Sequence, residues 1–109
     1  MGGKRIVDQK TLDEIIRRIV EVAQPEKIIL FGSAARGEMG PNSDVDLLII
    51  KRGADALDLM GQIYRNLHGV GAAVDAIVVT PEDVERFKES HALVIKPALR
   101  EGKVVYEAS

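Results

Sequence analysis

Four apolar residues in a row, Leu47-Leu48-Ile49-Ile50, close a segment running from Ser43 to Ile50. Side chains alternate between the two faces of a strand, so a strand apolar at every position buries both faces and needs cover above and below. The segment therefore predicts a central strand in a sheet flanked by other elements. Asp46 stands at its head. A carboxylate there must be solvated, paired or bound to a cation, because an isolated buried charge is very costly.

The rest of the chain supplies that cover. Leu12, Ile15, Ile16, Ile19, Val20 and Ala23 recur at helical intervals up to Pro25, and Thr11 with Glu14 has the spacing of a capping box, which predicts an amphipathic first helix. Lys27 to Phe31 is a short β-rich run that stops at Gly32. Between it and the central strand, glycines bracket Ala34-Ala35-Arg36 and a Gly-Pro-Asn turn follows, which predicts a short helical turn and a loop. Asp55 to Leu67 suits a helix with Gly69 beyond its end, and Val74 to Val79 makes a third strand. Thr80-Pro81-Glu82-Asp83 opens another helix, with a hydroxyl cap, proline at the first position and acids in the first turn. A last helix is expected from about Ala92 to Glu101, kinked or delayed by Pro97, before a short strand at Val104-Val105-Tyr106.

With 109 residues and no repeat or linker, the expectation is one domain over 1–109. An apolar content of 46% builds a core without cross-links, and zero cysteines exclude a disulfide scaffold, a zinc finger, an iron–sulfur site and a thiol nucleophile. Fifteen Lys and Arg against 17 Asp and Glu leave no basic excess, so direct nucleic-acid binding is not expected. No apolar run approaches the roughly 20 residues of a membrane span, and no signal peptide or myristoylation pattern is visible, so the expected location is cytoplasmic.

The chemistry lies in Gly32-Ser33, then, after ten intervening residues, Asp44-Val45-Asp46, and Asp75 opening the next buried strand 29 residues after Asp46. Strand alternation turns Asp44 and Asp46 one way and Val45 the other. If the Asp75 strand lies parallel beside the Asp46 strand, three acids gather at one end of a sheet. Like charges repel, so such a cluster makes sense with a divalent cation, and oxygen-only donors favour Mg²⁺ or Mn²⁺. Setting the three aside leaves 14 acids against 15 bases, a formal +1. The net −2 therefore comes from the proposed metal site.

Mg²⁺ completes its shell with water and substrate phosphates. A glycine at the end of a strand lets phosphate approach the backbone, Ser33 offers a hydroxyl, and Arg36 is a further candidate phosphate contact. Gly32 and Gly37 also have P-loop spacing, but Glu38 stands where a P-loop needs Lys and Met39 where it needs Ser or Thr. A carboxylate there would repel a triphosphate.

Gly32-Ser33, the following Ala34-Ala35-Arg36-Gly37, Ser43-Asp44-Val45-Asp46-Leu47-Leu48-Ile49 and Val74-Asp75 together resemble the minimal nucleotidyltransferases (MNT) of the DNA polymerase β superfamily, of the MntA antitoxin type. The motifs run from Lys27 through Val79 and the layout reaches Tyr106, with no motif residue missing. The resemblance implies an α+β fold: a small mixed sheet of three core strands plus a short C-terminal strand, packed with helices. It implies a Mg²⁺-dependent, two-metal transfer of a nucleoside monophosphate, AMP from ATP, to an acceptor hydroxyl. Gly32 and Ser33 would hold phosphates with Arg36 beside them. Asp44 and Asp46 would ligate Mg²⁺. Asp75 would help bind the second metal and activate the nucleophile. Such short chains are often encoded beside an all-helical HEPN partner, a toxin-type RNase, and act as its antitoxin by modifying a tyrosine on it. Homo-oligomerisation stays open.

A different class of function is a module that binds nucleotide without turnover and neutralises its partner by contact. Transfer to a small molecule is disfavoured, since no second domain is evident to enclose the acceptor. Tyr64, Phe31 and Phe87 fit core packing, Lys51-Arg52 a solvated strand exit, and His68 and His91 a helix end and a surface position.

Overall fold

The computed structural model describes residues 9–32, 45–53, 55–88 and 95–108. Helix α1 spans Gln9–Ala23 and buries Ile15, Ile19 and Ala23. Thr11 lies inside it rather than at its cap, because Gln9 and Lys10 already continue the helix. The Gln9 side-chain amide donates to Asp13 Oδ1 at 2.8 Å, an i to i+4 pair across that first turn. Glu14 turns to the following turn instead, accepting from Arg17 Nη2 and from Arg18 Nε, each at 2.7 Å.

Those contacts hold the Glu14 carboxyl down at about 2, from an ordinary 4.5, with Arg17 the larger cause and Arg18 the next. A depressed folded-state value gives a contribution present above about pH 4.5 and lost as pH falls toward about 2. Glu14→Gln is therefore expected to melt below the wild type at neutral pH and to converge with it near pH 2. Thermal melts by circular dichroism across that range check it.

The strands are β1 (Lys27–Phe31), β2 (Val45–Ile50), β3 (Val74–Val79) and β4 (Lys103–Glu107). The remaining helices are α2 (Ala56–Asn66), α3 (Pro81–Phe87) and α4 (Ile95–Glu101). Asp55 caps α2, accepting from the Asp58 N–H at 3.2 Å. Thr80 and Asp83 form a reciprocal capping box on α3: Thr80 Oγ1 accepts from the Asp83 N–H at 3.0 Å and Asp83 Oδ2 from the Thr80 N–H at 3.1 Å. Pro97 is the third residue of α4, within the first turn, where a missing N–H costs no helical hydrogen bond. Positions 92–94 of the expected last helix lie outside the described residues.

The fold is α+β, with one four-stranded mixed sheet in the order β3-β2-β1-β4. β2 runs antiparallel to β1 and parallel to β3, and β4 runs antiparallel to β1. Alternation divides the side chains between two faces. Ile28, Leu30, Val45, Leu47, Ile49, Ala76 and Val78 pack with Ile15 and Ile19 of α1 and with Leu59 and Ile63 of α2. Ile29, Leu48, Ile50 and Val79 pack on the other side with Ala98 of α4, joined by Val84 and Phe87 of α3.

Leu47, Leu48 and Ile49 are fully buried, as a doubly covered central strand requires. Burial of each such side chain contributes about 1.5–3 kcal/mol, enough to set the register of β2 against any one-residue slip. Gly102 joins α4 to β4 where a methyl group would overlap the Ala98 carbonyl and Ile29 Cγ2, so this tight junction delivers β4 to the free edge of β1. No helix among the described residues is long and apolar enough to cross a membrane.

Candidate active site

Strand pairing assembles one end of the sheet from residues far apart in sequence. Because β1 and β2 are antiparallel, the last residue of β1 lies beside the head of β2, with Phe31 opposite Asp46. Because β2 and β3 are parallel in register, Asp46 stands directly beside Asp75. Adjacent strands lie about 4.8 Å apart, and registered neighbours point to the same face. Asp46 shares its face with Leu48 and Ile50, and Asp75 shares its face with Ile77 and Val79. Val45 faces the opposite way, fully buried among the residues of the α1 and α2 layer. The two carboxylates thus occupy the α3 and α4 side of the sheet, at the end opposite the β3–α3 junction.

Gly32 closes the arrangement. It follows β1 with φ +72°, a left-handed conformation that disfavours residues with a Cβ. A methyl group there would overlap Asp46 Oδ2 and stand 3.3 Å from Asp46 Cγ. The absent side chain is what lets the carboxylate lie over the backbone where β1 ends.

Asp46 is half-buried, while Asp75 is exposed. The expectation that Asp75 heads a buried strand needs correction: β3 is an edge strand, so only one of its sides is paired in the sheet, and its first acid is exposed. Desolvation alone does not demand a partner for Asp75. What groups it with Asp46 is register.

Ser33, Arg36 and Asp44 lie outside the described residues. No group of three potential metal ligands occurs among the described residues. Among the described residues the donors are two carboxylates from neighbouring strands, with no histidine joining them. Hard oxygen donors of one sign, close together and accessible, fit Mg²⁺ or Mn²⁺ better than a softer metal.

Other sequence expectations separate from this end of the sheet. Phe31 and Phe87 do pack against the core. Tyr64 does not belong inside it: the residue is 41% exposed, and its hydroxyl oxygen accepts the Ala76 N–H at 2.8 Å. Periodicity placed Tyr64 on the apolar side of α2 but carried no sign of which strand its hydroxyl would meet. Lys51 ties the strand exit to the residue just after α1, donating from Nζ to the Gln24 carbonyl at 3.1 Å, and Arg52 is exposed. His68 is exposed just after α2, and His91 lies outside the described residues.

The family model described as "Polymerase beta, Nucleotidyltransferase" matches residues 13–109. Among solved structures, one from Sulfolobus solfataricus assigned as a nucleotidyltransferase is 24% identical, with a TM-score of 0.61 over 90% of this chain and 78% of that one. A toxin–antitoxin crystallised with AMP-PNP is 20% identical, with a TM-score of 0.60 over 89% of this chain and 73% of that one. A mutant of the toxin–antitoxin MntA-HpeT is 16% identical, with a TM-score of 0.61 over 89% and 73%. At these identities the likeness is one of fold. No curated protein matches the chain. The matched stretch contains Gly32, Asp46, Asp75 and all four strands, and the chain belongs to the polymerase β nucleotidyltransferase family.

Proposed function

We propose that residues 1–109 act as one Mg²⁺-dependent nucleotidyltransferase domain that transfers AMP from ATP to an acceptor hydroxyl, a tyrosine on a HEPN-type toxin partner, and thereby serves as its antitoxin. The observation that carries this reading is the registered pair Asp46 and Asp75 beside a left-handed Gly32. The shared fold with a toxin–antitoxin crystallised with AMP-PNP supports the nucleotide and the partner.

In this reading Asp44 and Asp46 would hold the metal and Gly32 and Ser33 would receive the phosphates, with Arg36 as a further contact. A divalent metal held there would supply positive charge against the triphosphate and lower the pKa of the acceptor hydroxyl. Asp75, at the exposed edge of the sheet, would help hold a second metal, and it orients that hydroxyl and takes up its proton. The acceptor oxygen bonds to the α-phosphorus, the bridging bond to the β-phosphate breaks, and pyrophosphate departs. Exposure of Asp75 suits an acceptor carried by another macromolecule.

The test is incubation of the protein with ATP, Mg²⁺ and the product of the adjacent open reading frame, followed by intact-mass analysis. An added AMP on that product, dependent on Mg²⁺, is the expected result. An unmodified product under conditions where the partner is nonetheless neutralised favours contact without turnover and overturns the proposal.

A further inference from the structure

The edge of β3 is held by one side chain at the residue that follows Asp75. In this parallel pair alternate residues of β3 turn their backbone groups toward β2: the Ala73 carbonyl accepts from Val45 N–H at 2.8 Å and the Val79 carbonyl from Lys51 N–H at 2.9 Å. Asp75 has the same orientation as Ala73 and Val79, so its backbone belongs to the ladder beside Asp46. Ala76 turns the other way, toward the open edge, yet it is fully buried. A buried N–H needs an acceptor. Tyr64 supplies it from α2 at 2.8 Å, and the same hydroxyl lies 3.4 Å from the Ala76 carbonyl.

α2 is itself anchored. Arg18 Nη1 donates to the His68 carbonyl at 3.1 Å, just beyond the helix end, and Asn66 Nδ2 donates to the Arg18 carbonyl at 2.9 Å. The phenol is therefore mounted on a helix tied to α1, and consecutive residues of β3 are gripped from opposite sides: Asp75 by β2 and Ala76 by Tyr64.

We infer that Tyr64 is a positioning residue, whose hydroxyl holds Asp75 in register with Asp46 for divalent-metal binding. The inference rests on the metal-dependent reading given above. Groups that orient a metal ligand typically change metal affinity by about 10–100-fold when removed. Tyr64→Phe deletes only the hydroxyl, and a ring so exposed accepts phenylalanine without strain.

The experiment uses the full-length chain, amide hydrogen exchange by NMR, and Mn²⁺ titration in the presence of ATP. In the wild type the Ala76 amide should exchange more slowly than the Val74 amide, which also faces the open edge; equal rates overturn the clamp without any variant. Tyr64→Phe should speed Ala76 exchange about fivefold, the scale of one hydrogen bond, and weaken Mn²⁺ about tenfold. The half-saturating Mg²⁺ for transfer should rise in step, with excess Mg²⁺ restoring the rate. A purely structural loss would not be rescued by metal, and Gly53→Ala, at the opposite end of the sheet, should leave the metal requirement unchanged. Unaltered Mn²⁺ affinity in Tyr64→Phe, when Asp75→Asn weakens it, removes the role of Tyr64 alone. Unaltered affinity in Asp75→Asn as well removes the metal reading of the site and this inference with it.

Discussion

Asp46→Asn is expected to lower nucleotide transfer by about 10²–10³-fold, the cost of losing one preorganised charge contact at a reacting phosphate. Asparagine keeps the shape and hydrogen-bonding capacity of the side chain and removes its charge. The folded chain loses little by the exchange, since Asp46 and Asp75 are like charges on neighbouring strands and such pairs change stability by under about 1 kcal/mol. That corresponds to a melting shift below about 8 °C for a domain of this size. Initial rates with ATP and Mg²⁺, together with thermal melts, check both halves. A rate near the wild type would show that the charge at the head of β2 has no part in transfer.

Gly32→Ala should be almost as damaging, for a reason that a second glycine isolates. Gly32 and Gly53 have the same backbone conformation, with φ of +72° and +71°. A side chain in this left-handed region costs about 1–2 kcal/mol at either position. Their surroundings differ. A methyl group on Gly53 has nothing within 4 Å among the described residues, whereas on Gly32 it would overlap the Asp46 carboxylate. Gly53→Ala is expected to lose stability and keep its transfer rate. Gly32→Ala is expected to lose a similar stability and about 10²-fold in rate, since displacing a reacting or metal-holding group by about an ångström has that effect. Parallel melts and rate measurements on the two variants separate strain from displacement. Equal rates would mean that the contact with Asp46 is irrelevant to function.

Much of the fold was legible in local pattern. The double burial of β2 follows from four apolar residues in succession, and the Thr80 cap with Pro81 marks the start of α3. Thr11 with Glu14 has the same kind of spacing, yet there the carboxylate meets Arg17 and Arg18 and the helix begins earlier. A capping box is a spacing that ion pairs on the next turn can also use. Asp75 and Tyr64 escaped for another reason. Whether an acid at a strand head is buried depends on whether that strand is central or at an edge, and strand order is absent from local pattern.

Side-chain periodicity and capping depend only on near neighbours in the chain, so local pattern sufficed for the strands and helices, for the two apolar faces of β2 and for Asp46 at the head of the central strand. The tertiary structure decided that β3 pairs in parallel with Asp75 beside Asp46, that Gly32 lies against that carboxylate, and that Tyr64 closes the edge at Ala76. Those relations come from backbone pairing and packing between segments 12 to 29 residues apart, where the contacts are set by the assembled sheet and by no single stretch of chain.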